Sequence, residues 1–227
     1  MPRGFPPLLD PADRHVAERF SYGVDARLAD EVRAAGGGRA WFEQQLSGLV
    51  LESPRALAVA TWFPELDLPA PLVRSMQEQG QRTVRETADE LIARTFALRT
   101  LTRRHVHETM VDFWTNLLYV PAGEGRSWPW RADYDRVVRQ HALGTFADLL
   151  RATVTHPAMT GYLTNDLNRK GALNENLGRE VLELHTVGRE AGYSEREVVA
   201  SSKLLTGFTL DTTTTFRAGY DPQRHAT

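Results

Sequence analysis

Residues 174–188 read NENLGREVLELHTVG, and three Glu, two Asn, one Arg and one His stand there among a few aliphatic residues. Carboxylates and an imidazole are the ligand set of a divalent cation, and a carboxyl or imidazole can also act as a catalytic acid or base. The same residue types spaced along a helix also make an ordinary charged face. Asn174 suits a helix N-cap, Glu175 the first turn and Gly188 the residue just past the end. At about 100° per residue, Leu177, Val181 and Leu184 form the core stripe. Glu175, Arg179 and Glu183 follow one another at i,i+4 as a surface ion-pair row.

Asn176 and Glu180 fall at the core edge, where a carboxylate needs a hydrogen bond, a partner or a proton. His185 lies on the other flank, about 140° from Glu180 by the same geometry, so the two do not make a metal site by themselves. Glu180 and His185 are the candidate catalytic groups, and Glu180 with Glu183 the candidate carboxylate ligands, if another helix completes the set. That second helix is read in RHVHETMVDFWTNLLYV, where His107, Glu108 and Asp112 are either further ligands or a solvated face. A divalent metal, held between the helices at 104–118 and 175–187, is the one cofactor this pattern suggests.

The elements that must position these groups are helical almost throughout. Asp10-Pro11 and Asp25 open helices, Gly36-Gly37-Gly38 breaks one, and Ser194-x-x-Glu197 is a capping box. Helical periodicity runs over 81–98, with Val84, Ala88, Leu91, Ile92, Thr95 and Phe96 as its stripe. It runs again over 102–118, with Val106, Met110, Phe113, Trp114 and Leu117. His141 falls at a helix end, and His156, before Pro157, reads as a turn residue. FTLDTTTTF is the one strand-like run. The expectation is an all-α, irregular multi-helix domain of about ten to twelve helices spanning 1–227, with a short C-terminal strand segment.

Composition narrows the function classes. The chain has 227 residues, 27 basic and 29 acidic, for a net charge of -2, which argues against a nucleic-acid footprint. It has no cysteine, so disulfides, thiolate nucleophiles and cysteine-ligated metals are excluded. MPRGFPPLLDPADRH lacks a leader-like apolar run, and no stretch approaches a membrane span; the expected location is the cytoplasm. No P-loop, G-x-S-x-G elbow or dinucleotide-binding glycine pattern is present.

The chain resembles a bacterial family, the domain of unknown function 1800 family. The resemblance is carried by DRHVAERFSYGVD, with His15, Arg19 and Gly23 matching, by HETMVDFWTNLLYV, by DYDRVVRQHALGTFADLLRATVTHPAMTGYL, and most specifically by NENLGREVLELHTVG with GYSEREV and LLTGF after it. Where the family carries His after its Phe-Trp pair, this chain has Thr115, Leu117 and Tyr119. The resemblance implies that a longer family domain continues beyond YDPQRHAT, so that 1–227 corresponds to its N-terminal half, with His225 at the start of the next segment. It also implies a sulfatase-like companion as partner. From the residues, a binding or assembly protein is the leading reading, and a metal-dependent enzyme the alternative.

Overall fold

The computed structural model describes residues 8–226; the first seven residues, part of the segment lacking a leader-like run, lie outside them. Twelve α-helices are present among the described residues: α1 (Pro11–Arg19), α2 (Ala26–Ala35), α3 (Gly38–Leu46), α4 (Pro54–Trp62), α5 (Ala70–Glu78), α6 (Val84–Leu101), α7 (His105–Leu117), α8 (Arg131–His141), α9 (Phe146–Val154), α10 (Pro157–Tyr162), α11 (Asn176–Glu180) and α12 (Glu195–Leu204). A two-stranded antiparallel sheet follows, β1 (Phe208–Leu210) with β2 (Ala218–Tyr220), in the register Phe208 opposite Tyr220. The all-α expectation holds. No helix among the described residues is long and apolar enough to cross a membrane.

The chain divides into two compact units. One takes the residues up to Trp62 together with Ala93–Phe113; the other takes Phe63–Ile92 together with the residues from Trp114 on.

In the first unit, α1, α2 and α3 pack on one another. Ala17, Leu28, Val32 and Trp41 form the core with Val106 of α7. The caps read from the sequence are in place: the Asp10 carboxylate accepts from Ala12 N–H and that of Asp25 from Leu28 N–H. Gly36 ends α2 at φ 95°, the left-handed region that favours glycine. A Cβ on Gly38 would stand 2.9 Å from Asp13 Cα, so α1 and α3 approach through this glycine. Ser53 donates to the Leu101 carbonyl (2.7 Å), and the Gln45 amide donates to that of Arg103 (2.9 Å). These bonds tie α4 and the start of α7 to the rest of the unit.

In the second unit, Leu66, Leu91 and Ala132 form one core cluster. Fully buried Tyr134 donates from its hydroxyl to the Leu118 carbonyl at 2.7 Å. Helix α11 packs on α12. Contact there is close enough that a Cβ on Gly178 would meet Ser202 Oγ at 2.2 Å and its backbone nitrogen at 2.7 Å.

Three expectations are corrected. Helix α6 starts at Val84 rather than residue 81, because the Thr83 hydroxyl accepts from Glu86 N–H while the Glu86 carboxylate accepts from Thr83 N–H; that reciprocal pair fixes the first turn. Its stripe is only half buried: Ala88 and Leu91 are inside, Ile92 and Phe96 exposed. FTLDTTTTF is a strand only over its first three residues. The Asp211 carboxylate gathers the backbone N–H groups of Thr213, Thr214 and Thr215 and turns the chain there.

Candidate functional site

The segment 174–188 is not one helix. Five residues of α11 pass into a π-helical turn, Val181–His185. Asn174 still caps the segment, its side chain accepting from Asn176 N–H at 3.0 Å. The π turn closes with Gly188 N–H donating to the Leu182 carbonyl (2.9 Å) and the Thr186 hydroxyl to that of Val181 (2.6 Å). A π turn rotates less per residue than an α turn and recurs at functional sites. Here it shifts the helix phase. Leu177 is buried as expected, but Leu184, expected on the core stripe, is 59% exposed, and His185 is 7% exposed in its place.

That rotation brings the His185 ring to the chain end of α7. Its Nδ1 stands 3.0 Å from the Leu117 carbonyl oxygen. A carbonyl only accepts, so Nδ1 carries the proton and the Nε2 lone pair is free to bind a proton or a cation. Burial pushes the His185 imidazole below its ordinary pKa, against the Leu117 hydrogen bond and the nearby Glu180 carboxylate. Glu180 itself has one oxygen, Oε2, buried with no hydrogen-bond partner among the described residues. Asn176, expected at the same edge, is exposed and donates to the Leu163 carbonyl at 3.2 Å.

The ion-pair row is also redistributed. Arg179 holds Glu175 (3.1 Å) and Glu195 of α12 (2.7 Å). Glu183 pairs instead with Arg189 and accepts from the Tyr193 hydroxyl at 3.4 Å. Thr115, Leu117 and Tyr119, the positions where the resemblance implied histidines, belong to this same unit. Among the described residues Thr115 Oγ1 is buried without a partner, Leu117 anchors His185, and Tyr119 meets Tyr162 edge to face at 6.3 Å.

His107, Glu108 and Asp112 belong to the first unit. The solvated-face alternative fails for Glu108, which is buried, 3.6 Å from His107 Nδ1. Asp112 is paired with Arg99. Among the described residues, no group of three or more His, Asp and Glu side chains is arranged to hold a metal ion. Elsewhere His156, read as a turn residue, caps α10 by accepting from Ala158 N–H at 3.1 Å, and its other ring nitrogen meets Asp133 at 3.1 Å.

A group that the sequence did not single out lines a cleft of about 540 Å³ in the first unit: Tyr22, Arg27, Phe96, Arg99 and His105. His105 opens α7 and packs beside Trp41, with ring centroids 6.2 Å apart. It is 6% exposed, and neither ring nitrogen has a hydrogen-bond partner among the described residues. Burial first, and the Arg27 charge second, hold it below the ordinary imidazole pKa. The Arg99 guanidinium lies over the Tyr22 ring, 4.9 Å from its centroid. Burial pushes the Tyr22 hydroxyl up to about 12. The only local signal was the pair of histidines in RHVH; its meeting with residues 22–27 is a tertiary contact across some 80 residues of chain.

The sequence model of a family described as "Protein of unknown function (DUF1800)" matches residues 15–227. No curated protein and no solved structure matches the chain.

Proposed function

The chain belongs to the DUF1800 family, and from that membership we propose that it is a binding or assembly protein that docks a partner chain within a bacterial complex. The observation that carries this reading is a stretch of the first unit, from the end of α3 through α4. Leu49, Leu51, Leu57 and Trp62 there are 82%, 84%, 65% and 52% exposed. Single exposed leucines are ordinary, but four large apolar side chains this exposed within one short run of chain support an interaction surface. Covering them gains roughly 25 cal/mol per Å² of apolar surface removed from water, and Trp is the commonest kind of anchor. The family resemblance makes a sulfatase-like companion the first partner to test. Co-expression followed by size exclusion is expected to show the companion eluting with the wild-type chain and leaving it in the double variant Leu49→Asp, Leu51→Asp. A wild-type chain that runs as a monomer beside its companion sinks the reading.

One local observation favours a second reading, a metal-dependent enzyme. His185 presents an Nε2 lone pair and Glu180 a buried carboxylate oxygen without a partner, and these are the two groups that would hold a cation. Zinc or manganese titrated calorimetrically into fresh protein should bind stoichiometrically and be lost in both Glu180→Gln and His185→Gln. No metal on elemental analysis and none taken up on titration removes this reading.

A further inference from the structure

The small sheet of the second unit has an open edge, apart from the apolar run of the first unit, and its hydrogen-bond parity fixes which groups face out. Asp211 N–H donates to the Arg217 carbonyl at 2.9 Å, and Asp221 N–H to that of Gly207 at 2.8 Å. Antiparallel pairs alternate between bonded and non-bonded positions, so residues 217, 219 and 221 spend their backbone groups on β1. Ala218 and Tyr220, opposite Leu210 and Phe208, turn theirs away from it. All three residues of β2 are exposed. Among the described residues nothing bonds to the backbone groups of Ala218 or Tyr220. Strand β1 packs against α10 and the turn at Asn165–Leu167, so the free edge is that of β2. Such an edge is a template for a further strand.

The strand that fits it best is its own copy. Laid antiparallel about a two-fold axis at Gly219, Ala218 of one chain stands opposite Tyr220 of the other. The outward N–H and C=O groups of both then meet in four hydrogen bonds. Gly219 stands opposite Gly219 at a non-bonded position, where Cα atoms approach to about 4.5 Å, and neither residue carries a Cβ.

Charge selects the same register, because it sets Arg217 opposite Asp221 twice. Arg217 is exposed, and neither residue has an ion pair among the described residues. Asp221 accepts only from Gln223 N–H at 2.9 Å. Asp211, across the hairpin from Arg217, is spent on the amides of residues 213–215. The Arg224 guanidinium, the nearest cation along the chain to Asp221, donates to the Asp166 carbonyl. Within one chain Arg217 and Asp221 sit four strand residues apart, about 13 Å, too far to pair. Opposite charges directly across a strand pair stabilise it, and like charges destabilise it.

We propose that two copies of this chain associate by antiparallel pairing of β2 with β2 about a two-fold axis at Gly219, joining their hairpins into one four-stranded sheet. The edge is short, bounded by Phe216 at φ 48° and by Pro222, which has no N–H, and so small a contact makes a weak, reversible dimer.

Sedimentation of the full chain from about 10 µM to 1 mM should show that dimer, with Kd on the order of 0.1 mM. Over the same range the amides of Ala218 and Tyr220 should gain protection from exchange, while those of Gly219 and Asp221, already bonded to β1, should not change. Arg217→Asp and Asp221→Arg each set like charges across the axis and should weaken the dimer about tenfold. Mixed in equal amounts, the two variants should dimerise as wild type does, because each charge then faces its opposite; mixing would not cure a folding defect. Ala218→Pro removes two of the four hydrogen bonds without touching the β1 ladder and should leave only monomer. The proposal is overturned if the wild-type chain stays monomeric to roughly 1 mM, if the dimer survives Ala218→Pro, or if the mixed charge variants associate no better than either alone.

Discussion

Nδ1 of His185 stands 3.0 Å from the carbonyl oxygen of Leu117, and that one contact sets which ring nitrogen is free. Long-range nitrogen–proton correlation spectra at neutral pH should show His185 as the Nδ1–H tautomer, with Nε2 unprotonated. An Nε2–H tautomer would mean that the Leu117 bond is not made in solution.

Glu180→Met removes a buried carboxylate oxygen that no group among the described residues hydrogen-bonds. Burying a polar atom without a partner costs about 1–3 kcal/mol. The variant should therefore melt higher than wild type, by a few degrees at this chain length. A clear fall in Tm would show Glu180 to be a structural group with a partner, not a strained one kept for function.

Gly178→Ala places a methyl carbon against backbone atoms of Ser202, where side-chain rotation gives no escape. Overpacking of this kind costs roughly 1–3 kcal/mol. A lowered Tm is expected, and adding Ser202→Gly should restore little of it, because the backbone clash at 2.7 Å remains. Full rescue would place the clash in the hydroxyl alone.

Burial holds both His105 and His185 below the ordinary imidazole pKa. Below about pH 6.5 the unfolded chain binds protons that these folded rings refuse. Stability from both is therefore complete above that pH and falls as pH drops toward their lower folded values. The urea midpoint should decrease between about pH 7 and pH 5, and less so in His105→Gln and His185→Gln. Asp133 does not confuse this window. Its hydrogen bond with His156 holds it down at about 2, so its contribution is lost only below the ordinary carboxylate range. An unchanged slope in both variants would sink the assignment.

Asp211→Ala should free the turn between β1 and β2. The carboxylate, held far below its ordinary pKa by Thr214 first, accepts from three successive amides and from the hydroxyls of Thr213, Thr214 and Thr215. Hydrogen exchange at residues 213–215 should quicken while exchange in α12 stays the same. Unchanged exchange at those three amides would show that Asp211 does not organise the turn.

Local signals carried most of the secondary structure. Asp10-Pro11, Asp25 and the Ser194–Glu197 box each act through atoms within four residues, so spacing alone revealed them. The π turn was not legible, because a wheel at constant pitch cannot anticipate a change of pitch. That change moved Leu184 out and His185 in, and it undid the expected pairing of Glu183 with Arg179. Glu180 lies half-buried, as a core-edge position would, whereas Asn176, expected beside it at that edge, is exposed. Only tertiary packing could show that Asn176 finds the Leu163 carbonyl while Glu180 Oε2 finds nothing. His105 escaped for the same reason: its importance comes from residues 22–27, which no local pattern connects to it.

Neither compact unit is a continuous stretch of chain. Three crossings, at 62/63, 92/93 and 113/114, interleave them, and α6 and α7 each lend residues to both. A cut at any one crossing leaves at least one unit short of its own residues. The His105 cleft, for instance, needs Tyr22 and Arg27 from before the first crossing and Phe96 and Arg99 from after the second. Dissecting this protein by shortening the chain will therefore disturb sites that the deleted residues never touch, and single substitutions are the cleaner instrument.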